Sequence, residues 1–365
     1  MTQSKQVVFA ARNEIVLDSI EVPDPEADEL VMRVRRVGIC ATDLHLLAGH
    51  IGDPFPLVPG HEFVGEVAAI GENAAATRGL AVGDHVAVEM LLPCQSCDRC
   101  REGRYNLCEL DDMMTGLERG RQIGVNIPRT VAPGLWGGYA EYLFVPREAI
   151  VHRLPAELPW DVAVLVEPLA VASRAVMRGR VGPGDRVAVI GPGPIGLLVA
   201  AAARAAGASV VMLGTRPSRL EHATRFGSDA TVNLRETDPV EAVRAHFGGL
   251  ADVAIEAAGA PDAQQLAATL VRRGGRVVLT GACGAGSVTA LRSDEDLLTR
   301  EIDVLPSFLS AGGFPTAIAL LERGDFPFAE LVTHSFSLDE VAAAFELIES
   351  RQQDVLKAVL CPTGP

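Results

Sequence analysis

The chain has 365 residues and a formal net charge of −15 at pH 7, from 32 basic and 47 acidic side chains. That charge repels phosphate backbones, so we expect no nucleic-acid partner. The length is enough for one large domain or two ordinary ones, and the 48% of hydrophobic residues is enough to build their cores. With no uninterrupted 18-residue apolar run and no signal-like start, we expect a soluble, cytoplasmic protein without a membrane partner.

The first half of the chain is rich in short strand-like runs separated by Gly and Pro. The clearest are LVMRVRRVGI at 30–39, FVGEVAAIG at 63–71, DHVAVEM at 84–90 and YAEYLFVP at 139–146. Short strands with frequent turns between them predict a compact, barrel-like β domain.

The second half changes texture near residue 183, where apolar strand-like runs begin to alternate with helical stretches. The runs are RVAVIG, SVVMLG, DATVNL, ADVAIEA and RVVLTG. The stretches between them end in Gly, as helices often do, and they include PDAQQLAATLVRRGG at 261–275. This alternation predicts a doubly wound parallel sheet. The tail from His334 predicts one more amphipathic helix and a closing strand.

A glycine-rich turn lies between the first of these strands and its helix. Gly191, Gly193 and Gly196 have the G-x-G-x-x-G spacing that permits a tight turn, close approach of a pyrophosphate and close helix packing. An anion would bind at the free N–H groups of the helix N-terminus. A purely structural turn is the alternative, but the strand–turn–helix context favours a dinucleotide site that includes Pro194 and Ile195.

The end of the following strand bears on the choice of nucleotide. NAD-binding proteins usually carry an acidic residue there for the ribose hydroxyls, whereas this chain has Gly214, followed by Thr215, Arg216 and Arg219. No carboxylate would repel a 2′-phosphate, and a guanidinium can bind one through two hydrogen bonds. We therefore predict NADP(H), with NAD possible. The alternative is that both arginines are solvated surface residues of the next helix.

Four of the seven cysteines are clustered. Cys94, Cys97, Cys100 and Cys108 have C-x2-C-x2-C-x7-C spacing. Four thiolates complete a tetrahedron around Zn²⁺ and leave no open position, which is typical of a structural site. A disulfide network and an iron–sulfur cluster are the competing interpretations, the first disfavoured in a reducing compartment.

A second candidate metal site is dispersed along the sequence. It comprises Cys40 in GICATDLH, His61 and Glu62 in PGHEFVGEV, and Glu167 in LVEPLAV. Mixed sulfur, nitrogen and oxygen ligands suit a catalytic zinc that keeps one position for water or substrate. Singly, each residue also has an ordinary interpretation as a buried thiol, a hydrogen-bonded histidine or a locally paired carboxylate.

Together these motifs resemble the zinc-dependent medium-chain dehydrogenases, the group of alcohol, sorbitol and threonine dehydrogenases. The resemblance runs in order through GICATDLHLLAGH, VPGHEFVGEV, the cysteine cluster, GGYAEYLFVP, EPLAVA, GPGPIG and LVTHSFSLDEVAAAFELIES. It implies an α/β chain in which a GroES-like catalytic domain is split around a Rossmann domain, in a homodimer or homotetramer. The implied domains are 1–160, with the structural-zinc lobe at about 90–110, then 161–305 as the Rossmann domain and 306–365 as the return to the catalytic domain.

The resemblance also implies roles for the dispersed group. Cys40 and His61 match the constant ligands of the catalytic zinc, and Glu62 matches a carboxylate that ligates or exchanges there. Glu167 in EPLA is similar to the glutamate that replaces a third cysteine ligand in the sorbitol, glucose and threonine branch. Whether Glu62 or Glu167 binds directly stays open at this point. Asp43 resembles the carboxylate that holds the other nitrogen of the ligand histidine.

The implied activity is reversible oxidation of an alcohol to its carbonyl compound by hydride transfer to the nicotinamide. Thr42 and His45 resemble the pair that relays the proton outward through the cofactor ribose. An NAD-dependent polyol or amino-alcohol dehydrogenase is the first alternative, and a non-catalytic protein that binds zinc and nucleotide is the second.

Two features depart from the nearest patterns. The sequence GTRP at 214–217 is unlike sorbitol dehydrogenases and resembles the NADP-dependent bacterial secondary-alcohol dehydrogenases. The segment at 113–136 matches no substrate pattern, and Met113, Leu117, Trp136 and Phe308 could line a substrate pocket or simply pack. The sequence therefore predicts the enzyme class but not the alcohol.

Overall fold

A computed structural model describes residues 2–52, 55–110, 120–350 and 355–364. Met113 and Leu117, two of the candidate pocket residues, lie outside these ranges. Within the described ranges, every helix is too short or too polar to cross a bilayer.

The chain divides into two compact units. The first unit comprises Met1–Glu167 and Phe328–Pro365, and the second comprises Pro168–Pro327. The predicted domain boundaries, after residues 160 and 305, lie N-terminal to these divisions and stay predictions. The two-part first unit shows that the chain leaves one folded body and later returns to it.

The strands, in chain order, are β1 (Gln3–Ala11), β2 (Glu14–Glu21), β3 (Leu30–Gly38), β4 (Glu62–Ile70), β5 (His85–Val88), β6 (Leu91–Leu92), β7 (Arg121–Gln122), β8 (Tyr142–Val145), β9 (Val151–Arg153), β10 (Arg186–Ile190), β11 (Ser209–Gly214), β12 (Ala230–Asn233), β13 (Ala251–Glu256), β14 (Val271–Leu279), β15 (Asp303–Pro306), β16 (Val332–Phe336) and β17 (Lys357–Leu360). The α-helices are α1 (Ala41–Leu47), α2 (Glu72–Arg78), α3 (Asp98–Arg101), α4 (Trp160–Ala163), α5 (Val166–Arg178), α6 (Pro194–Ala205), α7 (Pro217–Ala223), α8 (Pro239–Phe247), α9 (Pro261–Leu270), α10 (Phe314–Arg323) and α11 (Val341–Ser350).

The first unit is built on a sheet with the order β16-β17-β3-β4-β5-β9, in which β8 also pairs with β3. The β-rich first half is therefore confirmed, and β3, β4, β5 and β8 correspond to the four predicted runs. Gly38 at the end of β3 pairs with Glu62 of β4 on one side and with Val359 of β17 on the other. This register brings three distant segments together at one end of the sheet.

The second unit contains a parallel sheet with the order β12-β11-β10-β13-β14-β15. The predicted doubly wound sheet is confirmed. Every residue of β13 is buried, because apolar parallel strands are covered by other elements of the fold. The strand order reverses between β10 and β13, and the carboxyl ends of strands at such a point form the crevice in which ligands bind.

One predicted helix ends earlier than expected. The prediction extended it over 261–275, but α9 ends at Leu270 and β14 begins at Val271. Val271 is fully buried and pairs with Ala251 of β13, so sheet formation overrides the helical pattern at this point. The glycine pair after the arginines does not end a helix; Gly274, with φ of +65°, lies within the strand.

A buried carboxylate, paired with two partly exposed arginines, supports the amino-terminal end of this sheet. Asp252 is 8% exposed and accepts hydrogen bonds from the main chain and side chain of Arg186 at 2.9 Å, and from Arg272 Nε at 2.6 Å. Burial alone would raise the pKa of Asp252, but the two arginines outweigh it and hold that pKa well below its usual value. The ionised carboxylate therefore stabilises the fold above the ordinary aspartate pKa, and this contribution is lost as the pH falls towards the lowered one.

We expect Asp252→Asn to destabilise this end of the sheet by about 2 kcal/mol at pH 7, because hydrogen bonds to a charged group are lost. Amide hydrogen exchange in β10 and β13 should accelerate about 30-fold, and the difference from the parent should shrink below about pH 4. Asp303→Asn is the matched control, because its ion pair with Arg180 is solvent-exposed and should contribute little. Equal exchange rates in the Asp252→Asn and Asp303→Asn variants would contradict the prediction.

Candidate metal and cofactor sites

A single buried carboxylate organises the dispersed candidate ligands in the first unit. Cys40 precedes α1 in an extended conformation, and its N–H donates to Asp43 Oδ2 at 2.8 Å. Tyr139 OH donates to the same oxygen at 3.0 Å, while the other oxygen, Oδ1, lies 3.5 Å from His61 Nδ1. Asp43 is fully buried, so it anchors the main chain of Cys40 and faces the imidazole of His61 without contact with solvent.

Three of the four dispersed candidates converge on one point. The ligand atoms of Cys40, His61 and Glu62 lie within 4.8 Å of one another. His61 and Glu62 are buried, and Cys40 is half-buried. One sulfur, one imidazole nitrogen and one carboxylate oxygen form a donor set that fits zinc with a position left open. Glu167 is also buried but lies outside this group.

The electrostatics of this pocket distinguish its glutamates. Burial, and then the negative charge of Glu62, raises the pKa of Glu167 to about 8. Burial would lower the pKa of His61, but the adjacent Asp43 outweighs it and raises that pKa well above its usual value. The negative charges of Glu62 and Glu167 therefore repel each other. Of the two, Glu62 is the one whose carboxylate lies with Cys40 and His61.

Sequence reasoning missed two residues of this pocket, Tyr139 and Lys357. Lys357 is 5% exposed, and its Nζ forms an ion pair with Glu62 Oε2. Burial alone would lower the pKa of Lys357, but the charge of Glu62 raises it above its usual value. A signal for Lys357 did exist, because the chain contains only two lysines and this one interrupts the apolar run VLKAVL.

The four clustered cysteines also converge. The Sγ atoms of Cys94, Cys97, Cys100 and Cys108 lie within 4.8 Å of one another, and those of Cys94 and Cys100 are 3.9 Å apart. Tetrahedral zinc with Zn–S bonds of about 2.3 Å requires sulfur atoms about 3.8 Å apart, so the set fits. Hydrogen bonds from Ser96 and Cys97 lower the pKa of Cys94 to about 6, whereas burial raises the pKa of Cys100 to about 12 and also raises that of Cys108. All seven cysteines are free thiols.

A second buried carboxylate, also missed, attaches this cysteine lobe to the sheet. Tyr105 lies between the third and fourth cysteines and donates to both oxygens of Glu89, at 3.0 and 2.9 Å. Glu89 is 1% exposed and lies 2.9 Å from His152 Nε2 of β9. The lobe is therefore held by contacts to a buried group beyond its own cysteines.

The two predicted relay residues lie on α1. The Cys40 thiol donates to Thr42 Oγ1 at 3.5 Å, which places the hydroxyl beside the metal-ligand group. His45 is exposed, and its Nδ1 lies 3.2 Å from Nδ1 of His50. For these nitrogens to be hydrogen-bonded, one must carry a proton and the other must accept it. The relay itself stays a prediction.

In the second unit, the glycine-rich turn has the close contacts that its spacing predicts. Gly191 has φ of +105°, and a Cβ there would lie 2.8 Å from the main-chain nitrogen of Ala258. A Cβ at Gly196 would lie 1.8 Å from the carbonyl oxygen of Gly191. Gly193 caps α6, which opens with Pro194 and Ile195, and the nearest atom to a Cβ there is Arg219 Nη1 at 3.8 Å.

The missing carboxylate at residue 214 now has a physical reason. A Cβ at Gly214 would lie 2.4 Å from Cδ of Pro192, so the proline of the turn occupies the space of a side chain. Thr215 and Arg216 beyond it are exposed, and Arg219 is half-buried beside the turn. The structure therefore places the guanidinium of Arg219 next to the glycine-rich turn.

The remaining candidate pocket residues, Trp136 and Phe308, differ in their exposure to solvent. Trp136 is 7% exposed, donates from Nε1 to Val131 O at 2.9 Å and packs edge-on against Phe144. These contacts fix the indole by packing, and Trp136 also lines a cavity with Ile127 and Val131. Phe308 in the second unit is 47% exposed.

Comparison with known proteins shows the family. Residues 26–156 match the family described as "Alcohol dehydrogenase GroES-like domain", and residues 194–323 match "Zinc-binding dehydrogenase". The chain belongs to the zinc-dependent medium-chain dehydrogenases and is an oxidoreductase of the zinc-type alcohol dehydrogenase class. The resemblance drawn from its motifs is confirmed, and the non-catalytic alternative is set aside.

The similarity to known proteins extends over nearly the whole chain. A Mycobacterium tuberculosis protein named as an alcohol dehydrogenase is 39% identical and covers 90% of this chain and 89% of its own. The erythritol/L-threitol dehydrogenase of Mycolicibacterium smegmatis is 35% identical and covers 98% of this chain and 97% of its own. Among solved structures, a zinc-binding dehydrogenase of Sinorhizobium meliloti bound to NADP has a TM-score of 0.87 at 30% identity, over 99% and 100% of the two chains. An alcohol dehydrogenase of Escherichia coli complexed with NADH has a TM-score of 0.86 at 29% identity, over the same shares.

Proposed function

We propose that this protein is a zinc-dependent, NADP(H)-linked dehydrogenase that interconverts a secondary alcohol or polyol and its carbonyl compound. The observation that carries the reaction is the convergence of Cys40, His61 and Glu62 in a buried pocket. The relatives named for alcohol and for erythritol or threitol oxidation support this substrate range. A homodimer or homotetramer in the cytoplasm stays part of the proposal.

The chain's own residues divide the work. Cys40, His61 and Glu62 would hold a catalytic zinc, and the four-cysteine lobe would hold a structural one. When bound, the catalytic zinc supplies a Lewis acid for the substrate oxygen. Asp43 keeps the imidazole of His61 in one orientation and anchors the main chain of Cys40.

Proton movement falls to residues on α1. The Thr42 hydroxyl beside Cys40 would accept the proton that the alcohol loses and release its own proton onward towards His45. His45 is exposed to solvent and shares a contact with His50, so a proton that reaches it can pass to water.

The preference for NADP(H) is supported by the environment of the second Rossmann strand. Pro192 excludes a side chain at Gly214, which removes the usual carboxylate for the ribose hydroxyls. Arg216 and Arg219 supply positive charge on the segment that follows. The bound NADP of the Sinorhizobium structure agrees with this preference, and the NADH of the E. coli structure keeps NAD as the alternative.

We expect Arg216→Ala to raise KM for NADP+ by about 10-fold or more, because a charge-assisted hydrogen bond to the 2′-phosphate is worth about 1.5–3 kcal/mol. KM for NAD+ should change little, since NAD+ lacks that phosphate. Arg244→Ala, which removes an exposed arginine of α8, is the matched control. An unchanged NADP+ affinity in the Arg216→Ala variant would remove Arg216 from the proposed phosphate site.

The second candidate is an NAD-dependent polyol or amino-alcohol dehydrogenase. Steady-state rates with NADP+ and NAD+ over simple secondary alcohols, polyols and amino alcohols decide between the two. A higher kcat/KM with NADP+ supports the proposal. A higher kcat/KM with NAD+ on polyols would favour the second candidate.

A further inference from the structure

A buried lysine lies next to the candidate catalytic ligands, and no part of the reaction described so far uses it. Lys357 begins β17, and its ammonium pairs with Oε2 of Glu62 at the start of β4. The side chains of Lys357 and Glu62 are only 6% and 3% exposed. Burying such a pair costs free energy, so we expect the pairing of Lys357 with a candidate metal ligand to have a function.

The fold provides a specific space for this pair. The strand β3 lies between β4 and β17, and Gly38 pairs with Glu62 on one side and Val359 on the other. A Cβ at Gly38 would lie 2.1 Å from Glu62 Oε2 and 2.8 Å from Lys357 Cε. The absence of a side chain at Gly38 therefore allows the two charged groups to meet across the strand.

The contact matters because a carboxylate has two oxygens. Glu62 could bind a metal through one oxygen or chelate it through both. With Oε2 paired to the ammonium of Lys357, a chelated metal would have to compete with the buried ion pair for that oxygen. A lysine is a point charge that pairs with one oxygen, unlike the fork of an arginine, which can take both.

We propose that Lys357 is a positioning residue that limits Glu62 to one-oxygen coordination, which keeps a position of the catalytic metal open for substrate. This inference rests on the proposed function, because it requires a metal at Cys40, His61 and Glu62. A purely neutralising role for Lys357 would balance charge without affecting the coordination number.

Cobalt substitution tests the coordination number directly. The full-length protein is loaded with Co²⁺, and the d–d bands of the catalytic site are isolated as the difference from the His61→Ala variant. These bands are intense for four-coordinate cobalt and weaker for five or six ligands. Lys357→Met should weaken them, and turnover of the zinc enzyme should fall about 10–100-fold, the usual effect of an outer contact to a metal ligand. Adding Glu62→Gln to Lys357→Met should restore the band intensity, because an amide binds through one oxygen.

Arg36→Met is the matched control, since Arg36 of β3 is also a buried cation, paired with Asp161 in the same unit. It should leave the cobalt spectrum unchanged. If Lys357→Met does not fold, Lys357→Gln is measured in its place, with the same expected loss of intensity. An unchanged spectrum in the folded Lys357 variant would overturn this inference alone. Absence of any cobalt signal that depends on His61 in the parent protein would instead refute the proposed catalytic site.

Discussion

Replacing His61 with alanine is expected to lower kcat/KM at least about 1,000-fold while the protein stays folded. The loss follows because a metal that polarises the substrate contributes several kcal/mol to the transition state, and about 4 kcal/mol corresponds to that factor. Bound zinc should fall from two ions per chain to one, measured by elemental analysis. Circular dichroism should be unchanged, since Asp43 still receives hydrogen bonds from Cys40 and Tyr139.

Cys283→Ala is the control for this experiment. Cys283 is a half-buried thiol in the second unit and belongs to neither group of candidate ligands. Its zinc content and kcat/KM should match those of the parent. Retained turnover in the His61→Ala variant, or in a metal-stripped protein, would contradict the catalytic role of zinc.

Replacing Cys97 with alanine is expected to have the opposite profile, a large loss of stability with the catalytic zinc retained. Cys97 caps the short helix α3 within the lobe, and a structural zinc contributes folding energy directly. We expect the apparent Tm to fall by about 10 °C, which corresponds to roughly 3 kcal/mol for a unit of this size. Proteolysis should also cut first within residues 94–108.

The loss of stability in the Cys97→Ala variant should extend from the cysteine lobe to the sheet of the first unit. Tyr105 lies within the lobe, so its release leaves the buried Glu89 without two hydrogen bonds. Cys283→Ala again serves as the control and should keep the parent Tm. Two zinc ions per chain and an unchanged Tm in the Cys97→Ala variant would show that the lobe does not depend on metal.

Local sequence features predicted much of the architecture because each depends on neighbours along the chain. The cysteine lobe is such a case, since all four ligands lie within 15 residues and their spacing alone predicts a closed site. The glycine-rich turn is another, because the tightest of its contacts, from Gly196 to the carbonyl of Gly191, joins residues only five apart. The alternation of strand and helix in the second half predicted the parallel sheet for the same reason.

The local sequence pattern was a less accurate guide where tertiary contacts compete with it. The stretch after Leu270 has a helical pattern, yet Val271 joins the sheet, because pairing with Ala251 buries it. The absence of an acid at Gly214 was visible in the sequence, but its cause was not. That cause is the ring of Pro192, 22 positions earlier, which only the folded turn brings into contact.

The sequence by itself determined the family of this protein, the identity of Cys40 and His61 as candidate ligands and the position of the glycine-rich turn. It left the choice between Glu62 and Glu167 open, and it did not reveal Lys357 or Tyr139. Only the tertiary structure groups Glu62 with Cys40 and His61 and leaves Glu167 outside that group. The physical reason is strand register. Gly38, two residues before Cys40, pairs with Glu62 of β4 and with Val359 of β17. The same pairing brings Glu62 and Lys357, nearly 300 residues apart, into one ion pair.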